Sequence, residues 1–202
     1  ATEFGTTYQL AGHNMRTWKM LDWANAPINL YHYFISPAQF SVYFPFFEVI
    51  GNPPFKAPKD YYGVENVYGA LTNLPVVLLG LAAFAAGFRR EIRDRKTLGV
   101  FVLLLAGLFL AGLPVLLRYA ASASRYMVDF MPWLIALAAV GILTGEAALE
   151  NRGRRARRWF RAAWAAAAAY TVLFNVFVSF QHNQLLQANN PQAFARLARF
   201  FD

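Results

Sequence analysis

The chain has 202 residues, 57% hydrophobic and only 15% charged, and its mean hydropathy is positive. Its formal charge is +8, yet 11 of its 19 Lys and Arg residues fall in two short loops, 89–97 and 150–161, beside apolar runs. That is the positive-inside pattern of membrane proteins rather than the basic face a nucleic-acid partner needs, so no nucleic acid is expected. Cysteine is absent, which excludes disulfides, thiol catalysis and thiolate metal sites.

The chain opens on Ala1-Thr2-Glu3-Phe4-Gly5-Thr6-Thr7-Tyr8, which is polar, turn-prone and without an insertion signal. We therefore expect the C-terminal portion of a larger protein whose N-terminal part is missing. Residues 1–67 are expected to form an extracytoplasmic, interfacial segment of helices and loops. Within it, 24–47 is free of charge and holds eight Tyr and Phe residues, but Pro27, Pro37 and Pro45 interrupt it. Such prolines leave backbone groups unpaired in lipid, whereas Tyr and Phe gather at membrane interfaces. A true span over 24–47 is the alternative. Gly51-Asn52-Pro53-Pro54 and Ala57-Pro58 then mark a turn-rich linker.

Residues 68–180 read as an all-α transmembrane bundle of about four helices, near 68–88, 98–117, 126–145 and 160–180. Asn66–Phe88 has no charge over 23 residues and Thr97–Leu117 none over 21. About 20 apolar residues at 1.5 Å each suffice to cross the hydrocarbon core. With both basic loops placed in the cytoplasm, alternation puts 1–67, the Arg118–Arg125 connection and 181–202 on the opposite face. The expected location is the inner (plasma) membrane. In the tail, Asn190-Pro191 is a good helix start, and Phe194, Leu197, Ala198 and Phe201 recur with helical spacing. A short amphipathic helix, lying on the membrane or capping the bundle, is predicted there.

Chemical motifs are scarce. There is no His-x-x-x-His, glycine-rich phosphate loop, Gly-x-Ser-x-Gly or carboxylate cluster. His13, His32 and His182 are far apart in sequence and support no metal site on their own. No cofactor is evident, and a divalent metal stays open. Thr171, Asn175 and Ser179 form a polar stripe along the fourth helix, read first as interhelical hydrogen bonding and second as a substrate pathway. Gly141 and Gly145 have the spacing of close helix packing.

The remaining polar constellation is Arg118, Arg125, Tyr126 and Asp129, at the join of the second and third spans. A structural role would pair Arg125 with Asp129 across four residues of helix, let Arg118 reach headgroups and seat Tyr126 in the aromatic belt. A functional role would have the arginines hold a phosphate or diphosphate, which the planar guanidinium engages in bidentate fashion.

The run Ser124-Arg125-Tyr126-Met127-Val128-Asp129-Phe130-Met131-Pro132-Trp133-Leu134 resembles the "RY…P…L" helix start of GT-C class glycosyltransferases, membrane enzymes that use polyprenyl-phosphate sugars. They are similar to protein O-mannosyltransferases and aminoarabinose transferases. Glu3–Gly12 and Asn190–Phe200 resemble segments of uncharacterised bacterial members. The resemblance implies an all-helical bundle with an extracytoplasmic site, a polyprenyl-phosphate-linked sugar as partner, and Arg125 and Tyr126 as donor contacts. It also implies that the catalytic carboxylate lies in an upstream loop that nothing here matches, so no catalytic residue is named. The rival expectations are a non-catalytic membrane scaffold or assembly subunit and, less favoured, a transporter, since ionisable residues are nearly absent at mid-membrane.

Overall fold

A computed structural model of the chain describes residues 20–48, 53–59, 61, 63–65, 67–87, 96–150, 152–181 and 185–201. The described residues are mostly helical. Three helices are long and apolar enough to cross a membrane: α4 (Lys96–Arg118), α5 (Met131–Ala148) and α6 (Arg154–Gln181). They correspond to the second, third and fourth expected spans. Two of them have an evident start signal. Pro132 sits in the first turn of α5, where its missing N–H costs nothing. Gly153, with φ of +93°, supplies the left-handed turn that precedes α6. Pro114 lies inside α4, near its end.

The expected span at 68–88 is interrupted. It comprises α2 (Ala70–Asn73), a 3-10 turn at Pro75–Leu79, and α3 (Gly80–Gly87). Leu74 separates the first two with φ −122° and ψ 76°. The cause is Pro75, whose ring drives the preceding residue out of the helical region. The continuous apolar helix left, Pro75–Phe84, is shorter than a bilayer crossing requires. It packs chiefly against α5. There a Cβ on Gly141 would collide with the Leu79 carbonyl oxygen, and one on Gly145 would collide with the Phe160 ring. Both glycines therefore mark close packing, as their spacing predicts.

Residues 24–47 contain no helix of spanning length. A helical run over 23–35 passes from a 3-10 turn (Trp23–Asn25) through α1 (Ala26–Leu30) to a π turn (Tyr31–Ile35). Beyond it, β1 (Gln39–Phe40) pairs antiparallel with β2 (Phe47–Glu48) around a tight turn. A second ladder is parallel: β3 (Gly63–Glu65) lies beside β4 (Ala121–Ala123), with Glu65 opposite Ala123.

The larger core lies at the end of the bundle where these segments meet α4, α5 and α6. Tyr33, Phe34, Val67, Leu74, Leu116, Met127, Phe130 and Phe174 fill it. Phe130 is fully buried, with ring contacts to Tyr33, Phe34 and Phe109 at 5.7, 5.3 and 6.3 Å. A smaller core, Ala83, Val102, Leu105, Leu137 and Val140, joins α3, α4 and α5. Beyond the short α7 (Leu185–Asn189), the tail forms α8 (Pro191–Phe201) with Asn190 as its cap, its Oδ1 accepting from the Ala193 amide at 3.1 Å. Phe201 stacks on Phe44 at 5.5 Å and Phe194 meets the same ring at 5.3 Å, so the apolar face of α8 caps this end of the bundle.

Candidate functional site

The site is built on the way α4 ends. The last carbonyls of a helix lack intrahelical partners and must find donors elsewhere. Here two buried asparagines, one turn apart on the 23–35 run, provide them. Asn29 Nδ2 donates to the carbonyls of Leu116, Leu117 and Tyr119 at 3.1, 2.9 and 2.7 Å. Asn25 Nδ2 donates to the Arg118 carbonyl at 3.0 Å, and the Asp22 amide reaches the same oxygen at 2.8 Å. The Asn29 amide oxygen in turn accepts from the Tyr61 hydroxyl at 2.7 Å. The backbone of Arg118 and Tyr119 is thus fixed by contacts far away in sequence.

From that base the two arginines project. The Arg118 guanidinium lies over the Trp23 ring, 5.3 Å from its centroid. Its Nε is buried and has no hydrogen-bond acceptor among the described residues. Arg125 lies over Tyr126 at 5.2 Å, and Tyr126 meets Tyr119 edge-on at 5.2 Å. The result, along one lip of the bundle, is two cation–aromatic pairs, Arg118 with Trp23 and Arg125 with Tyr126, with the ring of Tyr119, the residue after Arg118, edge-on to Tyr126.

The structure corrects the local pairing. Arg125 forms its salt bridge with Glu65, Nη1 to Oε2 at 3.5 Å, and not with Asp129. Residues Ser124–Asp129 form a 3-10 turn rather than the first turn of a span, and α5 starts only at Met131. At three residues per turn, positions four apart diverge by about 120° and no longer share a face. Asp129 is exposed and makes no salt bridge among the described residues, while its carbonyl accepts from Trp133 Nε1 at 3.1 Å. Of the four expected residues, Arg125 and Tyr126 are in contact, Arg118 sits on Trp23, and Asp129 forms no salt bridge with either arginine. The groups missed from sequence are Glu65, delivered by the β3–β4 ladder, and Trp23, delivered by the asparagine caps.

Beneath this lip the layer is buried and polar. Tyr33 is fully buried, its hydroxyl accepting from the Ala123 amide at 3.3 Å, and burial pushes that hydroxyl well above its usual range. Burial raises Tyr61 to about 12. His32 is also fully buried; neither ring nitrogen has a hydrogen-bond partner among the described residues, and burial lowers it to about 4. His13 and His182 lie outside the described residues, so a three-histidine site has no geometry here. Among the described residues no group of three His, Cys, Asp or Glu is placed to hold a metal.

The polar stripe on α6 acts between segments. Tyr68 donates its hydroxyl to Asn175 Oδ1 at 2.6 Å, and Asn175 Nδ2 returns to the Thr171 carbonyl at 2.8 Å. Ser179 bonds within its own helix, to the Val176 carbonyl. At the other end, Glu146 of α5 accepts from Arg157 Nε and Arg161 Nε, each at 2.9 Å, and ties α5 to α6.

In chemical terms the lip offers fixed cations beside aromatic faces, which suits an anion attached to an apolar body. Comparison with known proteins gave no matching family model, no matching curated protein and no matching solved structure.

Proposed function

We propose that this chain is an integral membrane protein whose Arg118–Arg125 lip binds the phosphate of a membrane-embedded lipid carrier. The carrying observation is that both arginines lie on aromatic rings, Arg118 on Trp23 and Arg125 on Tyr126, and that Arg118 Nε is buried without an acceptor among the described residues. A buried donor left unpaired costs about 1–3 kcal/mol, and an incoming phosphate oxygen would remove that cost. The basic loops lie in the cytoplasm on this reading, so the lip faces outward, in a bacterial inner membrane.

The more specific proposal is that the chain is the C-terminal membrane part of a GT-C-like glycosyltransferase. The full enzyme would move a sugar from a polyprenyl-phosphate donor to an extracytoplasmic acceptor. Support comes from the resemblance of Ser124–Leu134 and from the contact of Arg125 with Tyr126. No residue of the chain is assigned as the catalytic base. The second reading, a non-catalytic assembly subunit, draws on the Arg125–Glu65 salt bridge, which gives that arginine a structural partner.

Binding separates the two. With the chain in vesicles, a polyprenyl-phosphate hexose should bind, and Arg118→Gln and Arg125→Gln should each weaken it by about tenfold or more, the scale of one charge-assisted bond. Unchanged affinity in both variants would return the arginines to a structural role. Sidedness is checked separately with a membrane-impermeant maleimide, which should label Val128→Cys from outside and Arg152→Cys only from within.

A further inference from the structure

The end of α6 remote from the lip carries a dense positive charge with few acids to balance it. Residues 146–161 hold six arginines and two glutamates. Five of the arginines fall in the first eight residues of α6, whose first turn contains no acidic residue. The backbone dipole disfavours cations at that end of a helix, and like charges four residues apart repel. An anion relieves both effects.

Glu146 of α5 supplies part of the relief. It accepts from Arg157 Nε and Arg161 Nε, each at 2.9 Å, and so holds these two arginines toward α5. Arg154, Arg155 and Arg158 are exposed and form no salt bridge among the described residues. Nor does Glu150, the other acid at this end. At 3.6 residues per turn, these three arginines lie within about 100° of the circumference of α6, beside the arc that meets Glu146.

Their depth fits a lipid headgroup layer. The charge-free stretch from Ala162 to Phe180 has 19 residues, about 28 Å at 1.5 Å each, close to the roughly 30 Å of bilayer hydrocarbon. Arg158 and Arg155 lie four and seven residues beyond Ala162, about 6 and 10 Å further out. Trp159 sits one turn from Arg155 and is 68% exposed, at the level where Trp gathers in membrane proteins. On the bilayer side of the arginines the same arc continues as Ala162, Ala165, Ala166 and Ala169, all exposed. Cationic and apolar surface are therefore continuous along one face, which suits an anionic amphiphile better than a soluble anion.

We propose that Arg154, Arg155 and Arg158 form a headgroup site for anionic phospholipid. The guanidinium forks engage its phosphate, and its acyl chains run along the alanine arc. Glu146 keeps Arg157 and Arg161 out of the site. This rests on α6 crossing a bilayer and not on the Arg118–Arg125 lip.

The chain would be placed in phosphatidylcholine vesicles doped with spin-labelled phosphatidylglycerol or spin-labelled phosphatidylcholine, and the motionally restricted fraction of each label compared. Phosphatidylglycerol should be restricted in preference to phosphatidylcholine. The Arg154→Gln, Arg155→Gln, Arg158→Gln triple variant should lose about half or more of that preference, since each arginine near an anionic surface contributes separately. The Arg196→Gln, Arg199→Gln double variant, altered at exposed positions of α8, should keep it. An unchanged preference in the triple variant, or an equal loss in the double variant, overturns the site. Inorganic phosphate that removes the preference more effectively than chloride of equal ionic strength makes the occupant a soluble anion and also overturns it. Restricted lipid without any preference in the parent overturns the site and leaves the span intact, whereas no restricted lipid of either kind overturns both. Arg158→Gln alone replaces the triple variant if that one does not fold; a smaller loss is expected, and no loss overturns the site.

Discussion

Arg125 is tied to Glu65, 3.5 Å from Nη1 to Oε2, by a parallel ladder that sets Glu65 opposite Ala123. The side chains are 61% and 42% exposed, so water screens the pair, and exposed ion pairs contribute about 1 kcal/mol or less. Glu65→Gln and Arg125→Ala should therefore each lower stability by no more than about 1 kcal/mol, measured by thermal unfolding in detergent. This matters for function, because a binding defect in Arg125→Ala could not then be assigned to unfolding. A loss of several kcal/mol would make the pair a structural element instead.

Asn29 should behave very differently. It is fully buried, its amide nitrogen serves the end of α4, and its oxygen accepts from Tyr61. Asn29→Leu removes both functions and leaves buried carbonyls without donors, so a loss of about 2–4 kcal/mol is expected. Asn25→Ala removes one bond, to the Arg118 carbonyl, and should cost about 1 kcal/mol. Equal effects in the two variants would show that the α4 terminus is not held through Asn29.

These contrasts show what the sequence carried. Helices α4, α5 and α6 are legible because charge-free length is a local property, and α8 because Asn190-Pro191 and the Phe194–Leu197–Phe201 spacing are local too. The break at Leu74 was also written in the chain, at Pro75, but hydropathy over 66–88 masked it. Glu65 with Arg125 and Asn29 with Leu116 join segments distant in sequence. No spacing rule reaches across such distances, and the pairing depends on the β3–β4 ladder and the 23–35 run. Asp129 was misplaced for a different reason: its i,i+4 relation to Arg125 assumed an α-helix where the chain forms a 3-10 turn.

Glycine substitutions separate the packed face of the bundle from its open one. A Cβ on Gly141 meets the Leu79 backbone, which cannot swing aside, whereas Gly107 and Gly112 of α4 have nothing within 4 Å. Gly141→Ala should force α3 and α5 apart and cost about 1–3 kcal/mol, as overpacking does. Gly107→Ala should instead stabilise by about 0.5–1 kcal/mol, through helix propensity alone. Melting midpoints of the two variants moving in the same direction would contradict this arrangement.

His32 makes the stability of the chain depend on pH, with a definite sign. Burial without a partner among the described residues lowers its pKa from 6.5 to about 4 in the folded state. Above pH 6.5 the ring is neutral whether the chain is folded or not, so it adds no pH dependence there. As pH falls below 6.5, the unfolded chain takes up a proton that the folded one still refuses, and stability declines until about pH 4. His32→Phe removes the titrating group while keeping an aromatic ring in the buried position. The variant should therefore lose less stability than the parent between pH 7.5 and pH 5, measured by thermal unfolding in one detergent at both values. His13 and His182 are common to both proteins, so the difference isolates His32. Identical pH slopes would mean that the imidazole is charged or hydrogen-bonded in the folded chain after all.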